Sequence, residues 1–375
     1  MTKASIRDYL RKGRETVNLT EYMSGTIERI VQSALKSTLK NPKESAFLMK
    51  YAVSVKAAAR KRNSSETKGI HIPPFLIASI ASTCNLHCKG CYARANHSCG
   101  EQKYSEDLTA AQWKNIFHEA ENLGVSFILL AGGEPLMRRD VIEEAAKIPQ
   151  IIFPIFTNGT MMSGPCFDLI DKNRNLIPVM SIEGNQAQTD ARRGEGVYRT
   201  LQSTMEKMQK KDILFGASVT VTKKNLTTVT GNEFIASLHE KGCKLVFFVE
   251  YVPVGGADNL LAPADPERGI LAQRQAELRN KYEDMILLSF PGDEKSVGGC
   301  LAAGRGFFHI SSTGSAEPCP FSPYSDTNLK DSTLEEALQS PLFLKLSAEG
   351  LLSREHTGGC VLFEQEQTVM QLASS

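Results

Sequence analysis

Six short apolar segments, separated by longer amphipathic ones, constrain the fold of this 375-residue chain more than any other feature. The apolar segments cover residues 75–80, 125–131, 151–156, 177–182, 217–222 and 245–251. The intervening residues have the apolar spacing of helices at 109–123, 139–147, 164–173, 197–211 and 231–241. Strands that alternate with helices of this length predict βαβ units and a parallel sheet. Six such units are too few to close an eight-stranded barrel.

Polar and glycine residues collect at the ends of several predicted strands. Parallel α/β sheets place their active sites at the carboxyl ends of the strands, so these residues are candidates for one shared site. Two successive glycines would let the backbone approach a ligand closely, and the Glu134 carboxylate could accept hydrogen bonds from an ammonium group. Taken alone, the same segment also fits an ordinary strand-to-helix turn. The candidates are Gly132, Gly133, Glu134 and Pro135 after the second strand, Thr157 and Asn158 after the third, and Ser181 at the end of the fourth.

Three cysteines, Cys84, Cys88 and Cys91, follow the first predicted strand with the spacing C-x3-C-x2-C. Three thiolates on one tight loop can hold three irons of a [4Fe–4S] cluster and leave the fourth iron open to another ligand. Cysteine pairs are also common zinc ligands, so the triad alone leaves zinc open. The chain has nine cysteines, an odd number, and no secretory leader is expected, so a disulfide framework is disfavoured.

The cysteine triad and the Gly-Gly-Glu-Pro segment about 40 residues later together resemble the radical SAM superfamily. The resemblance implies an α/β fold, a partial (βα)6 TIM-like barrel. It also implies a [4Fe–4S] cluster on the triad whose open iron binds S-adenosylmethionine (SAM), and reductive cleavage of SAM to a 5′-deoxyadenosyl radical. In that family, Gly132 to Pro135 would contact the SAM amino group, Ser181 would contact its carboxylate or ribose, and Thr157 and Asn158 would line the same cavity.

Two positions near this predicted site need separate comment. Residues 190–198 resemble a D-x-x-R-G segment of the same family, whose arginine pairs with the SAM carboxylate. Arg193 fits that role better than Arg192 because a glycine follows it, and a guanidinium can bind a carboxylate bidentately. We expect the other arginine to be a solvated loop residue. Gly90 departs from the family, which usually has an aromatic residue there; its backbone would still face adenine, without a stacking side chain.

A second group of cysteines, Cys300, Cys319 and Cys360, lies in the C-terminal part of the chain. Residues 307–311 predict a strand, and the turn that follows at 312–314 predicts a hairpin that folds the first two cysteines toward each other. The pattern resembles the Twitch and SPASM extensions of radical SAM enzymes. The resemblance implies a small C-terminal α+β iron–sulfur domain with one auxiliary cluster, expected to be [4Fe–4S].

The ligands of this auxiliary cluster are incomplete in the sequence. A fourth iron would be open or held by Cys99, Cys166, Cys243 or a histidine. A degenerate domain with three buried thiols and no metal is the alternative. Residues 333–349 predict mostly helix, interrupted at Pro341.

The first 70 residues have a different pattern, with two predicted helices at 22–40 and 44–61. The basic residues of 56–62 predict a solvated helix end, and residues 63–65 a linker. No strand signals are present here, so the leader-peptide-binding domain of many peptide-modifying relatives is not expected. The predicted domains are 1–70, a helical extension; 71–290, the partial barrel; and 291–375, the auxiliary-cluster domain.

Composition narrows the function classes. A net charge of +1 argues against nucleic acid as a partner, and no apolar run approaches the ~20 residues of a transmembrane helix. We therefore expect a cytoplasmic, oxygen-sensitive enzyme that takes its electrons from a flavodoxin- or ferredoxin-type reductant. The first expectation for its substrate is a peptide or protein. A small molecule or cofactor precursor is the alternative, which the missing leader-binding domain favours.

Another class of function, a non-catalytic iron–sulfur electron carrier, is disfavoured because a carrier has no use for SAM-binding segments. No catalytic residue can be assigned from the sequence. Glu250 and Tyr251, at the end of the sixth predicted strand, are candidates to accept a proton or donate a hydrogen atom. Strand alternation predicts that only one of them points inward.

Overall fold

The computed structural model describes residues 19–38, 41–101, 106–256, 259–290, 298–353 and 360–374. Its strands form one nine-stranded sheet in the order β7-β6-β5-β4-β3-β2-β1-β8-β9. The strands are β1 Phe75–Ala81, β2 Phe127–Gly132, β3 Phe153–Thr157, β4 Leu176–Ser181, β5 Gly216–Val221, β6 Leu245–Glu250, β7 Ile286–Phe290, β8 His309–Ile310 and β9 Ala316–Glu317. Neighbouring strands are parallel except for β8 and β9, which form the predicted hairpin. The six predicted strands are confirmed as β1 to β6.

Helices connect these strands and flank the sheet at both ends of the chain. They are α1 Leu19–Ser37, α2 Pro42–Glu66, α3 Tyr92–Ala95, α4 Ala110–Leu123, α5 Arg139–Ala146, α6 Gly164–Lys172, α7 Gln186–Arg193, α8 Val197–Lys210, α9 Leu226–Val229, α10 Asn232–Glu240, α11 Asp265–Lys281, α12 Leu334–Leu338, α13 Pro341–Ala348, α14 Val361–Glu364 and α15 Glu366–Ala373. The predicted helices between the strands are confirmed as α4, α5, α6, α8 and α10. None of the helices in the described ranges is both long enough and apolar enough to cross a membrane.

Local chemistry explains where these helices begin and end. Thr109 and Gln112 form a reciprocal capping box at the start of α4, and Gly124 ends this helix in the left-handed conformation with φ 92°. The predicted interruption at Pro341 is confirmed. Ser340 caps α13, whose first residue is the proline, since a proline is tolerated in the first turn of a helix but not in its interior.

The N-terminal helices close the amino ends of the barrel strands. The apolar face of α1, with Ile27 and Val31, packs in one cluster with Ile152 and Ile177, which lie next to β3 and in β4. Helix α2 continues through residues 63–65, so the predicted linker is wrong. Arg62 is also not a solvated helix end. It is 1% exposed and donates hydrogen bonds to the backbone and a side chain of the 124–126 segment.

Two features of the sheet were not predicted. Strand β7 is an apolar run that pairs with β6, and β8 pairs directly with β1, so the C-terminal hairpin extends the barrel sheet. Aromatic rings bridge β1 and β7. The Phe307 ring centroid lies 5.0 Å from that of Phe75 and 5.5 Å from that of Phe290. The C-terminal segment therefore packs against both of these strands.

Candidate functional site

The first cysteine triad lies in the loop after β1, at the carboxyl ends of the barrel strands. Cys84, Cys88 and Cys91 all line one cavity of about 500 Å³. Burial raises the pKa of the Cys84 and Cys88 thiols, and the neighbouring thiolates raise them further. The Lys89 amide donates a 2.9 Å hydrogen bond to the Arg192 carbonyl, which ties the loop to the end of α7. The three thiols therefore share one half-buried pocket, as ligands of one cluster must.

The Gly-Gly-Glu turn after β2 packs directly on this cysteine loop. A side chain at Gly133 would place its Cβ only 2.0 Å from the Thr83 carbonyl oxygen, and one at Gly132 would lie 2.4 Å from that of Ala81. The Gly133 amide donates to the Ala81 carbonyl at 2.7 Å, and the Glu134 amide donates to the Thr83 carbonyl at 2.8 Å. The two glycines are therefore needed for contact with the cysteine loop, a reason that the sequence did not give.

The Glu134 carboxylate is fixed by three donors. Its Oε1 accepts from the Thr157 hydroxyl at 2.7 Å and from the Leu136 amide at 3.0 Å, while its Oε2 accepts from the Asn158 amide at 2.8 Å. Burial raises its pKa, and these three donors partly oppose that rise. Glu134 also lines the cavity, so this buried carboxylate borders the space where a cation could bind.

Not all of the predicted cavity residues face the cavity. Asn158 does, and its side-chain amide nitrogen, Nδ2, lies 3.9 Å from the Cys84 sulfur. Thr157, predicted to line the cavity, is instead buried behind Glu134 and positions that carboxylate. Pro135 begins the short 3₁₀ helix Pro135–Arg138 and is not among the lining residues. Ser181 lines the cavity from the end of β4.

Both arginines at the end of α7 are largely buried, so the expectation that one of them is solvated is wrong. Each forms an ion pair with Glu183, a residue that sequence reasoning did not select although it directly follows β4. Arg193 also reaches the Cys88 sulfur at 3.8 Å. Two guanidinium groups share one carboxylate here, so this group of three side chains has one positive charge in excess.

Glu250 and Tyr251 both line the cavity, although strand alternation predicted only one of them. The strand ends at Glu250, so alternation no longer applies to the next residue. Glu250 accepts a 2.9 Å hydrogen bond from Arg268. The Tyr251 ring packs on Gly90, where a Cβ would lie 2.8 Å from the Tyr251 Cε2 atom. Tyr251 therefore supplies an aromatic ring beside the position where Gly90 lacks one.

The second cysteine triad also converges. Cys300, Cys319 and Cys360 are all buried, and the Cys319 thiol is hydrogen-bonded to Cys360 and close enough to Cys300 to interact electrostatically. Burial raises the pKa of Cys319 well above its ordinary value. Three thiols that could serve as ligands of an auxiliary cluster are thus gathered in one place. In the described ranges, neither triad nor any other group of three His, Cys, Asp or Glu residues could hold a single metal ion.

The remaining cysteines differ in their position. Cys99 lines the cavity of the first triad, and burial raises its pKa to about 12, with a further rise from Cys84. Cys243 is fully buried before β6, and burial raises its pKa to about 12 as well. Cys166 lies in α6, away from both triads. Tyr92 directly follows Cys91 and packs edge-on against Phe321 at 5.2 Å, which joins the two cysteine regions.

Comparison with known proteins gives the following matches. A sequence model described as the Radical SAM superfamily matches residues 79–229. An AdoMet-dependent heme synthase from Methanosarcina barkeri is 28% identical over 302 residues, which cover 73% of this chain and 84% of that protein. A pre-heme d1 synthase from Dinoroseobacter shibae is 29% identical over 155 residues, which cover 40% of this chain and 37% of that protein.

Among solved structures, SuiB from Streptococcus suis with bound SAM has a TM-score of 0.66 and 17% identity, covering 85% of this chain and 81% of SuiB. SuiB bound to its precursor peptide SuiA has a TM-score of 0.63 and 17% identity, and the match covers 79% of this chain and 72% of SuiB. At this level of identity the likeness establishes the fold, an α/β partial barrel with N-terminal helices and a C-terminal extension.

Proposed function

We propose that this chain, as a radical SAM enzyme, starts a radical reaction on a small organic substrate of cofactor biosynthesis. The observation that carries the proposal is the convergence of Cys84, Cys88 and Cys91 on a cavity whose rim also presents Glu134 and Arg193. A [4Fe–4S] cluster held by these thiolates would supply one electron for cleavage of SAM to the 5′-deoxyadenosyl radical, which takes a hydrogen atom from the substrate.

The polar rim matches the charges of the methionine part of SAM. The ammonium group fits beside the buried Glu134 carboxylate. In these low-dielectric surroundings a nearby cation stabilises the negative charge of the carboxylate. The carboxylate of SAM fits beside Arg192 and Arg193, because these two guanidinium groups share the single carboxylate of Glu183. Ser181, which lines the cavity at the end of β4, could donate a further hydrogen bond to SAM.

The cavity wall supports a second role, the exclusion of water from the radical. Strand residues below the rim are apolar, and Tyr251 with its neighbour Val252 covers the side of the cysteine loop. A reactive carbon radical survives only where competing hydrogen donors and solvent are kept away. Glu250, paired with Arg268, is the carboxylate that could hold a proton in this part of the cavity.

We also propose an auxiliary cluster on Cys300, Cys319 and Cys360. Their convergence supports it, and β8 and β9 attach this region to the barrel beside β1. Because the nearby thiols are buried and desolvated, a metal that binds them must first displace their protons. The reductant would be a flavodoxin- or ferredoxin-type protein.

A small substrate is favoured over a peptide by the relatives that match the sequence. The heme synthase and the pre-heme d1 synthase are named for cofactors, and the first of them matches over most of both chains. Peptide or protein modification is the second candidate. The structure of SuiB with a bound precursor peptide favours it, but that likeness is one of fold.

Iron content and SAM cleavage test the proposed function. Anaerobically reconstituted protein should bind about eight irons, roughly four for each cluster. The Cys84→Ala, Cys88→Ala, Cys91→Ala triple variant should lose about half of the iron and all formation of 5′-deoxyadenosine with dithionite and SAM. Cys166→Ala, which removes a thiol away from both triads, is the matched control and should change neither measurement. Tightly bound zinc without iron, or S-adenosylhomocysteine as the only SAM product, would refute the proposal.

A further inference from the structure

The cavity does not end at the cysteine loop but continues along the barrel axis to the N-terminal helix. At one end it is lined by Cys84 and Cys88, and at the other by Met23, Ile27 and Val31 of α1. Barrels of parallel strands usually fill this interior with interdigitated side chains. In this protein the inward side chains surround a continuous space instead.

The wall of this space is apolar between its two ends. Alternate residues of each strand face it, such as Phe127, Leu129 and Ala131 on β2 and Ile286, Leu288 and Phe290 on β7. The polar lining residues of these strands lie mainly toward the cysteine end. At the far end, Lys244 also borders the cavity, and its amine pairs at 2.7 Å with Asp284, which is not a lining residue. An occupant of the middle section would therefore gain by burying apolar surface and could form few hydrogen bonds.

The dimensions of the cavity limit the shape of that occupant. Lys244 and Tyr251 border its two ends and are seven residues apart along β6, which is about 23 Å at roughly 3.3 Å per residue. The cavity volume of about 500 Å³ includes the space beside the cysteine triad that the cluster and SAM would occupy, so only a narrow part is left toward α1. Carbon atoms pack at about 4 Å from their neighbours, so an unbranched hydrocarbon chain is the slimmest apolar group that could enter this part.

The far end of the cavity is closed by α1, whose apolar face packs on the amino ends of the strands. A chain that enters from the cysteine end would therefore stop at Val31 and Ile27. With SAM at the cysteine end, the free length runs from Lys244 to Val249, about 16 Å along the strand. At about 1.3 Å per carbon, from C–C bonds of about 1.5 Å, this holds about 12 carbons.

We propose that the barrel interior binds a hydrocarbon chain of the substrate, about 12 carbons long, with the reacting carbon held beside SAM. This inference rests on the proposed function for the reaction itself. Binding of the chain, however, can be measured without turnover. The chain length limit is then set by α1, which acts as the floor of the cavity.

The test uses saturated fatty acids from hexanoate to hexadecanoate as probes, with isothermal titration calorimetry on the reconstituted, SAM-loaded protein. Affinity should rise about fourfold for each added methylene, the factor expected for its burial, up to about 12 carbons and then level off. The Val31→Trp substitution should move this limit to shorter chains by about three carbons, since a larger side chain raises the floor.

Two further variants keep the test decisive. Ala34→Leu adds less bulk at the same floor and should shorten the limit by about one or two carbons even if Val31→Trp does not fold. Val53→Trp places the same ring on the solvent face of α2, where the residue is 70% exposed, and should leave the limit unchanged. Affinity that is independent of chain length, or a limit that none of the floor variants moves, would overturn the inference.

A tetrapyrrole such as hemin that displaced dodecanoate and bound more weakly to Val31→Trp would also overturn it, because a disc would then occupy the same space. Iron content and 5′-deoxyadenosine formation are measured on the same preparations. If these are normal while no chain binds, the chain-binding inference fails and the proposed function stands. If chains bind as expected but SAM is not cleaved, the proposed function fails instead.

Discussion

Replacing Gly133 with alanine tests whether the turn after β2 and the cysteine loop form one unit. The added Cβ would lie 2.0 Å from the Thr83 carbonyl oxygen and 3.0 Å from the Cys84 amide nitrogen. Ordinary contacts begin at 3.4 Å, so the two backbones must separate by about 1.4 Å. Since both neighbours are backbone atoms, no side-chain rotation can relieve the clash.

That separation would break the two backbone hydrogen bonds between the segments. They are 2.7 and 2.8 Å long and would stretch to about 4 Å, beyond hydrogen-bonding range. Losing two bonds of about 1 kcal/mol each, with one acceptor left unsatisfied in the interior, destabilises the native loop by about 3 kcal/mol. This lowers the ratio of native to displaced loop by more than about a hundredfold.

We therefore expect Gly133→Ala to lose about half of the iron and nearly all 5′-deoxyadenosine formation, while the iron at the second triad stays. Gly269→Ala is the matched control. No atom lies within 4 Å of its added Cβ, and alanine in place of a glycine within α11 should stabilise the helix by up to about 1 kcal/mol. Full iron content and full SAM cleavage in Gly133→Ala, at normal thermal stability, would refute this reasoning.

Three further predictions follow from the site and the core. Ser181→Ala should raise the SAM concentration needed for half-maximal cleavage without changing iron content. Arg193→Ala should raise that concentration and also lower the iron content, because this arginine also contacts Cys88; iron assays and SAM titrations compare the two variants. Cys243, with a pKa of about 12, should resist iodoacetamide at pH 8 in the native protein. Its contribution to the free energy of unfolding should be intact below pH 9 and decline from pH 9 toward 12, and this decline should be smaller in Cys243→Ala. Arg62→Met should destabilise the protein by about 3 kcal/mol in urea unfolding, against a negligible effect for the exposed Arg60→Met.

The strands and their polar carboxyl ends were predictable because both signals are local. Each of β1 to β6 is a short apolar run, and the residues that follow these runs gather at one edge of the sheet by topology alone. Strand β7 was missed although its sequence is equally apolar. Six strand–helix units already accounted for the expected partial barrel, so the apolar run after the long helix α11 was not counted as a strand.

Contacts between distant segments could not be predicted in the same way. Nothing local indicates that Thr157 turns behind Glu134, or that both α7 arginines meet one carboxylate. Likewise, Tyr251 fills the space beside Gly90 from more than 150 residues away. Gly132 and Gly133 were selected for close approach to a ligand, whereas their tightest contacts in the structure are with the cysteine loop.

A buried polar chain connects the two cysteine regions and explains how the C-terminal extension is held. Ser79 Oγ lies 2.7 Å from His309 Nε2, and His309 Nδ1 lies 2.7 Å from a carboxylate oxygen of Glu317. All three residues are less than 10% exposed, so separating them would leave unsatisfied polar groups in the interior. Ser79 precedes the first triad by five residues, and Glu317 precedes Cys319 by two. Because one hydrogen-bonded chain and one sheet span both segments, the two triads are held in a fixed relation across the predicted boundary at residue 290.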